Sequence, residues 1–202
     1  MTIAARRPLL APHRGGDELA CELYASGVYD AQYLAGLMAD AQRFTKRDLK
    51  QWLTRANSVT ICGNIVAALA AESPHGLDLA LEWIKARKWQ TAQTGWTTLS
   101  ALVSIRDDAE LDLPLLRKLL KQVEQSIHQQ HDRVRYAMNT FVIALGSFVA
   151  PLTAAALAAA ESIGPVTCDM GETACTVFSA PDYIRKVQTS GRVGKKRKSA
   201  RC

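Results

Sequence analysis

The sequence predicts an all-α fold in which antiparallel helix pairs stack into a HEAT-like α-solenoid, with a compact helical bundle as the alternative. Apolar residues recur at helical spacing along most of the chain, the breaks between such segments are short, and no stretch alternates like a strand. Leu116, Leu119, Leu120 and Val123 show this spacing within segment 112–130. Because short loops join amphipathic helices, successive helices become antiparallel neighbours.

Ten helical segments are predicted from this periodicity. They cover residues 17–26, 30–41, 46–56, 59–71, 76–87, 91–105, 112–130, 133–146, 151–162 and 180–190. Turn-forming residues separate some of them, as at 73–76 and 163–165. The pairs share no motif of fixed period, so periodicity alone does not distinguish the solenoid from the bundle.

The charge distribution divides the chain into an irregular N-terminal arm (1–16), a helical-repeat domain (17–184) and a basic C-terminal tail (185–202). The net charge is +6, yet the tail holds eight Lys and Arg residues and no acid, whereas the remainder has 17 basic and 19 acidic residues. The total charge is therefore no evidence that the helical body binds nucleic acid. We expect a flexible tail that either binds phosphates without specificity or only aids solubility.

Patterns typical of metal or cofactor sites are weak. The five cysteines are widely spread and lack the spacing of zinc ligands, so we expect free thiols, no metal and no cofactor. Cys168, Asp169 and Cys175 share one loop, but no fourth ligand lies near them in the sequence.

One weakly charged stretch raises the question of a membrane span. No charged residue lies between Arg135 and Glu161, but Gly146, Ser147 and Pro151 interrupt the stretch. We expect two buried helices joined by a tight turn. No apolar run of signal-peptide length follows the N-terminus, so the expectation is a cytoplasmic monomer without membrane contact.

Several basic and polar side chains fall on shared helix faces. Lys46 and Lys50 lie one turn apart, and Arg135 and Asn139 form a polar stripe on an otherwise apolar helix. Such stripes could line the inner wall of a solenoid and bind a phosphate backbone. Solvated faces for the lysines and an internal salt bridge for Arg135 are the alternatives. Trp52 falls on an apolar face and is expected in the core unless it reaches a groove.

Seven short segments together resemble the DNA alkylation repair family of HEAT-like proteins. They are DAQYLAGL at 30–37, Asp48-Leu49 with Trp52, AESPHG at 71–76, GW at 95–96, RVRYAMN at 133–139, DMGETAC at 169–175 and GKKRK at 194–198. The likeness runs from about residue 17 to the end. It implies an α-solenoid with a concave DNA-facing surface and a glycosylase that removes alkylated purines. In such enzymes tryptophans and one aspartate would stabilise the cation developing at the sugar.

The chain departs from the family pattern at its expected catalytic segment. Residues 57–63 read Asn-Ser-Val-Thr-Ile-Cys-Gly, with neither tryptophan nor acid, and no carboxylate lies between Arg55 and Glu72. The sequence therefore predicts a DNA-binding protein of this kind without the usual glycosylase centre, with double-stranded DNA as its partner. Two alternatives remain: an active glycosylase with a relocated carboxylate such as Asp48 or Glu72, and a helical-repeat scaffold that binds a protein.

The candidate DNA-binding residues combine the basic faces, the family-like segments and the tail. They are Lys46, Lys50, Trp52, Arg133, Arg135, Asn139, Lys195, Lys196, Arg197 and Lys198.

Overall fold

The computed structural model describes residues 16–169, 171 and 176–201, and these contain ten main helices. The predicted arm and Cys175 lie outside the described residues, apart from Gly16. The helices are α1 Gly16–Ala25, α2 Tyr29–Met38, α3 Lys46–Arg55, α4 Ile61–Glu72, α5 Gly76–Trp83, α6 Trp89–Ile105, α7 Leu113–Ser126, α8 Asp132–Phe148, α9 Thr153–Ile163 and α10 Ala180–Thr189.

All ten predicted segments are confirmed as helices, with ends that differ by up to four residues. The largest differences are at the ends of α7, expected at residue 130 and observed at Ser126, and of α5, expected at residue 87 and observed at Trp83. There the chain turns so that Ile84 packs against α6 at Gly95, where an added Cβ would lie 2.6 Å from the Ile84 nitrogen.

The helices form two layers. The second helix of each pair (α2, α4, α6, α8 and α10) packs against the next second helix, and the first helices cover this row from outside. Two apolar clusters fill the space between the layers, one around Tyr24 and Trp52 and the other around Trp96 and Phe141. This is the layering of the predicted solenoid rather than of the bundle.

Glycines allow the second helices to approach closely. A Cβ on Gly36 in α2 would lie 2.1 Å from Ile65 Cγ2 in α4, and a Cβ on Gly146 in α8 would lie 2.5 Å from Ile184 Cδ1 in α10. At each of these crossings the isoleucine fills the space that a side chain would need. The row of second helices is therefore held at short spacing by its glycines.

Helix α4 is unusual because its first part, Ile61–Val66, is π-helical before regular α-helix resumes at Ala67–Glu72. The wider turn overlaps the end, residues 61–63, of the segment where the family resemblance leads us to expect a catalytic pair.

Within the described residues, no single helix is long and apolar enough to cross a membrane. Asp132–Phe148 and Ala150–Ile163 would together be long and apolar enough for a span, but the two helices are bent by 115° relative to each other.

We expect Gly36→Ala to destabilise the fold, because the new methyl group would overlap Ile65, a core side chain that is 1% exposed. Overpacking of this kind costs about 1–3 kcal/mol, and thermal unfolding followed by circular dichroism should show a lower Tm. Gly63→Ala is the matched control, since its Cβ would approach no neighbour closer than 3.5 Å. Equal Tm values for the two variants would contradict the close approach at Gly36.

Candidate nucleic-acid interface

The C-terminal residues 190–201, here called the strap, fold back across the row of second helices. The Gly194 amide donates to the Ser147 carbonyl at the end of α8 (2.9 Å), and the Arg197 amide donates to the Ser104 carbonyl at the end of α6 (2.8 Å). Gly191 and Gly194 have φ values of 64° and 75°, which turn the chain in a way that L side chains resist. The prediction of a flexible tail was wrong, and its boundary at residue 185 falls inside α10.

Lys196 fastens the middle of the strap. Its ammonium lies 2.7 Å from an Asp108 carboxylate oxygen and donates to the Val103 carbonyl at 3.0 Å. The lysine side chain is 14% exposed, so the strap buries it against the end of α6. Of the four tail residues predicted to bind DNA, Lys196 is therefore occupied in holding the fold.

Arg201 fastens the end of the strap to the first two helix pairs. Its guanidinium pairs with the Glu72 carboxylate and donates to the carbonyls of Gly36 (3.0 Å) and Ala39 (2.6 Å). Glu72 also accepts hydrogen bonds from the Ser199 hydroxyl (2.6 Å) and the Ala200 amide (2.8 Å). A residue at the end of α4 thus binds the chain 128 positions further on.

The charge of Glu72 is stabilised in the folded protein. Burial alone would raise its pKa, but the hydrogen bonds from Ser199 and Arg201, the Arg201 charge and the Ala200 amide together outweigh burial and lower the pKa. The carboxylate is therefore ionised at neutral pH and holds the strap in its charged form.

The strap borders a cavity of about 310 Å³ on the exposed side of the second helices, here called the inner groove. It is lined by Gly63, Asn64, Ala68, Thr97, Ser100, Ala101, Ser104, Thr140, Ile143, Ala144, Phe148, Tyr183, Arg197 and Ala200. Small and hydroxyl side chains form most of the lining, and it contains no acid. The backbone of α6 is therefore open to close approach by a ligand.

The serine and threonine hydroxyls of the groove already donate their protons to their own helices. Thr97 donates to the Gln93 carbonyl, Ser100 to the Trp96 carbonyl and Thr140 to the Tyr136 carbonyl, each at 2.9 Å. In this arrangement the hydroxyl oxygens offer lone pairs to the groove. Such a lining favours ligand groups that donate hydrogen bonds, such as base amino groups, over phosphate oxygens.

A smaller cavity of about 230 Å³ lies at the start of α4 and α6, beside the segment expected to hold a catalytic pair. It is lined by Leu53, Ala56, Asn57, Ser58, Val59, Cys62, Lys88, Trp89, Gln90 and Thr91, with no acid among them. Burial raises the pKa of the Cys62 thiol, and this effect outweighs a hydrogen bond with Thr94 and the charge of Lys88. The formal charge in this lining is therefore positive.

The two acids considered as relocated carboxylates are both engaged elsewhere. Asp48 caps α3 by accepting from the Thr45 amide (3.0 Å) and hydroxyl (2.6 Å), and Glu72 holds the strap. Neither acid lies beside Arg135, whose guanidinium donates to the carbonyls of Thr167 (2.6 Å) and Gln130 (3.0 Å) and lies 3.4 Å from Asp132.

The lysines predicted on α3 lie in the outer layer. Lys46 pairs with Asp78 and Lys50 with Glu82, each at 2.7 Å, and all four side chains are largely exposed. These pairs join α3 to α5 and lie away from the inner groove. Ion pairing thus accounts for the spacing of the two lysines.

Three other predicted residues are part of the packing. Trp52 is 5% exposed and stacks on Tyr24 with ring centroids 3.8 Å apart, so it is a core residue rather than a stacking platform for bases. Asn139 is 4% exposed and donates to the Phe178 carbonyl at 2.9 Å. Arg133 is half-buried at the start of α8, near the internally bonded Arg135.

Of the predicted residues, Arg197 lines the inner groove with an exposed side chain, Lys195 lines a neighbouring cavity beside the strap, and Lys198 is an exposed residue of the strap. Sequence reasoning missed Lys88 in the smaller cavity, as well as Ser147 and Tyr183 beside the strap. Trp89 stacks on His131 with centroids 4.5 Å apart. No local pattern marked these residues, because the loops and the strap bring them together over long sequence distances.

Comparison with known proteins places these features in context. The family model described as DNA alkylation repair enzyme matches residues 4–168. The uncharacterized proteins Lin0241 of Listeria innocua and Lmo0209 of Listeria monocytogenes are each 29% identical over 174 residues, which cover 85% of this chain and 74% of the relative.

A solved structure gives the most informative comparison. It is described as a new family of proteins related to the HEAT-like repeat DNA glycosylases with affinity for branched DNA structures. Its TM-score with this chain is 0.92 at 30% sequence identity, and the match covers all of this chain and 86% of the solved one. The C-terminal strap therefore lies within the matched region.

We expect Glu72→Gln to release the end of the strap, because the variant loses the negative charge that Arg201 and the Ser199–Arg201 segment bind. The loss should be on the order of 2 kcal/mol, as for hydrogen bonds to a charged group. Hydrogen exchange at the amides of Arg197 and Ala200 should become faster. Glu82→Gln, which removes an exposed acid of the outer layer, is the control and should leave both amides protected.

The same release should occur in the unchanged protein at low pH. Because the folded pKa of Glu72 is depressed, its stabilisation is fully present above the ordinary value of 4.5 and is lost as the pH falls through the folded pKa. Exchange at the Ala200 amide measured from pH 6 downward should show this loss after correction for intrinsic exchange rates. Protection that stays constant across that range in the unchanged protein would contradict the role of Glu72.

Proposed function

Because the chain belongs to the DNA alkylation repair enzyme family, we propose that it is a DNA-binding helical-repeat protein that recognises branched DNA and has no glycosylase activity. The strap is the observation that supports this proposal most. It holds Lys195, Arg197 and Lys198 with exposed side chains, Arg197 in the lining of the inner groove, while Lys196 and Arg201 anchor it. A fixed row of cations can bind phosphates without first losing the conformational entropy of a flexible tail.

Branched DNA is proposed because of the similar solved structure, whose family is described as having affinity for it. The inner groove also offers hydrogen-bond acceptors, which phosphate oxygens cannot use because they are acceptors themselves. Its hydroxyl oxygens accept hydrogen bonds, and bases that are unpaired near a branch point expose amino groups that donate them.

The absence of glycosylase activity is proposed on electrostatic grounds. Cleavage of an N-glycosidic bond develops positive charge at the sugar, and a nearby carboxylate lowers the barrier. The cavity beside residues 57–63 has Lys88 in its wall and no acid, and Asp48 and Glu72 make the contacts described above. A lysine at this place disfavours a cationic transition state.

A protein ligand is the second candidate, because the inner groove has a mixed lining of alanines, hydroxyls and aromatic rings. Helical-repeat surfaces of this kind also bind peptides. The two candidates differ in salt dependence, since binding that relies on released counterions weakens steeply with salt.

We expect a four-way DNA junction to bind more tightly than a linear duplex with the same number of phosphates, in anisotropy titrations at several salt concentrations. Arg197→Gln/Lys198→Gln should weaken binding and reduce the slope of log K against log salt by about two, because two exposed cations are lost. Lys46→Gln/Lys50→Gln removes the same charge from the outer layer and should leave the slope unchanged. Equal effects of the two double variants would contradict binding at the strap.

We expect no release of N7-methylguanine or N3-methyladenine from methylated DNA incubated with the protein, because no carboxylate lines the cavity that corresponds to the expected catalytic segment. Chromatography of the released bases measures this directly. A known alkylpurine glycosylase serves as the positive control. Multiple turnovers by this protein at an enzyme-like rate would overturn the proposal.

A further inference from the structure

A second cavity, of about 340 Å³, lies between the end of α8, one face of α10 and the first part of the strap. Its lining consists of Ser147, Phe148, Tyr183, Lys186, Val187, Ser190, Arg192 and Lys195. Four of these residues, at positions 183, 186, 187 and 190, are spaced three or four apart and so lie on one face of α10 and its extension. We call this space the cationic cavity.

The charge of the cavity wall is one-sided. Lys186, Arg192 and Lys195 line it together with no acid, and none of the three makes an ion pair with the described residues. Two acids on and beside α10, Asp182 and Glu161, both pair with Arg185.

Neutralisation of the helix end does not account for these cations. Cations often collect at a helix C-terminus to bind its free carbonyls. Here the carbonyls of the last turn of α10 already accept hydrogen bonds from the chain that follows. Ser190 N donates to Lys186 O, Arg192 N to Val187 O and Gly191 N to Gln188 O. The three cations are thus available to an external anion.

The fold brings these like charges together at a cost in repulsion. The Gly194 amide bonds to the Ser147 carbonyl, and this contact returns Lys195 toward Lys186 on α10. Ser147 itself is 3% exposed, and its hydroxyl makes no hydrogen bond with the described residues. Clustered cations and an unsatisfied buried hydroxyl both oppose folding, and such violations are typical of binding sites.

The aromatic rings beside the cavity indicate that the ligand has a base as well as a phosphate. Tyr183 is 41% exposed, and Tyr183 and Phe148 line both the cationic cavity and the inner groove. A nucleotide unit could place its phosphate among the cations and its base against Tyr183. The cavity volume falls within the range of roughly 300–1,000 Å³ usual for small-ligand sites.

From these observations we propose that the cationic cavity binds the terminal phosphate of a DNA strand. A terminal phosphate has nearly two negative charges, whereas an internal phosphodiester has one, so three cations match the terminal group better. This inference names a ligand group within the proposed function and rests on it. The phosphate of a free nucleotide presents the same chemistry, and the experiment separates the two sources.

The test compares single-stranded and branched DNA with a phosphate or a hydroxyl at the strand end, for both the 5′ and the 3′ end, in anisotropy titrations. The unchanged protein should bind one of the phosphorylated forms about tenfold more tightly. Lys186→Gln/Arg192→Gln should abolish this preference and retain the binding that depends on Arg197 and Lys198. Equal affinity of the unchanged protein for phosphate and hydroxyl ends would overturn the inference.

Two controls keep the result specific. Lys118→Gln/Lys121→Gln removes the same charge from exposed positions of α7 and should preserve the preference for phosphate. Circular dichroism should show no loss of Tm in either double variant, because all four side chains are exposed and removal of clustered cations relieves repulsion. Loss of the preference in the α7 variant would show that net charge alone produces it, and would overturn the cavity as its source.

A separate titration distinguishes failure of this inference from failure of the proposed function. Deoxyadenosine 5′-monophosphate added to the full-length protein should shift backbone amide resonances around Lys186 and Arg192 in the unchanged protein but not in Lys186→Gln/Arg192→Gln. If no DNA binds but the nucleotide does, DNA binding is wrong and the cavity is a free-nucleotide site. If DNA binds without an end preference and the nucleotide causes no shifts, the cavity inference is wrong and DNA binding stands.

Discussion

The carboxylate of Glu72 determines where the last residues of the described chain lie. It binds Arg201, Ser199 and the Ala200 amide at the end of α4, and Arg201 continues to the carbonyls of Gly36 and Ala39 in and after α2. The other end of the strap is fixed at Ser147 in α8. Adjacent helices lie roughly 8–10 Å apart, so the strap backbone crosses about 16–20 Å from α8 to α4. Seven peptide steps from Gly194 to Arg201 reach at most about 25 Å, so this part of the strap follows a largely extended path.

This extended path divides the basic residues of the tail into two kinds. Lys196 and Arg201 are largely buried in ion pairs with Asp108 and Glu72, so their charges stabilise the fold. Residues at other positions of the strap, including Lys195 and Lys198, keep exposed side chains. Each anchoring pair costs desolvation, and its several hydrogen bonds offset that cost. The high pI of the chain therefore reflects both folding and the proposed binding of DNA.

The sequence predicted the helices well because each one depends on local periodicity, capping and turn residues. Thr45, for example, is the N-cap of α3 and forms a capping box with Asp48. This box depends only on residues 45–48, which are close together in the sequence. The ordered path of the strap could not be predicted from such local patterns. The strap has almost no apolar residues and is ordered by two acids, Asp108 and Glu72, that lie far away in sequence. The ion pair of Lys46 could not be predicted for a related reason, since its partner Asp78 comes from the next helix pair.

The catalytic carboxylate that the family resemblance implies and the carboxylate of Glu72 stabilise different cations. The first would stabilise a transient cation of the substrate, whereas Glu72 stabilises a permanent cation of the chain. Because Glu72 is ionised and saturated with hydrogen bonds, it presents little field to a ligand in the inner groove. The groove then offers accepting hydroxyls and the cation of Arg197 in its lining. That distribution suits a ligand with donor groups inside and phosphates outside, which describes a splayed nucleic-acid strand better than a stacked duplex.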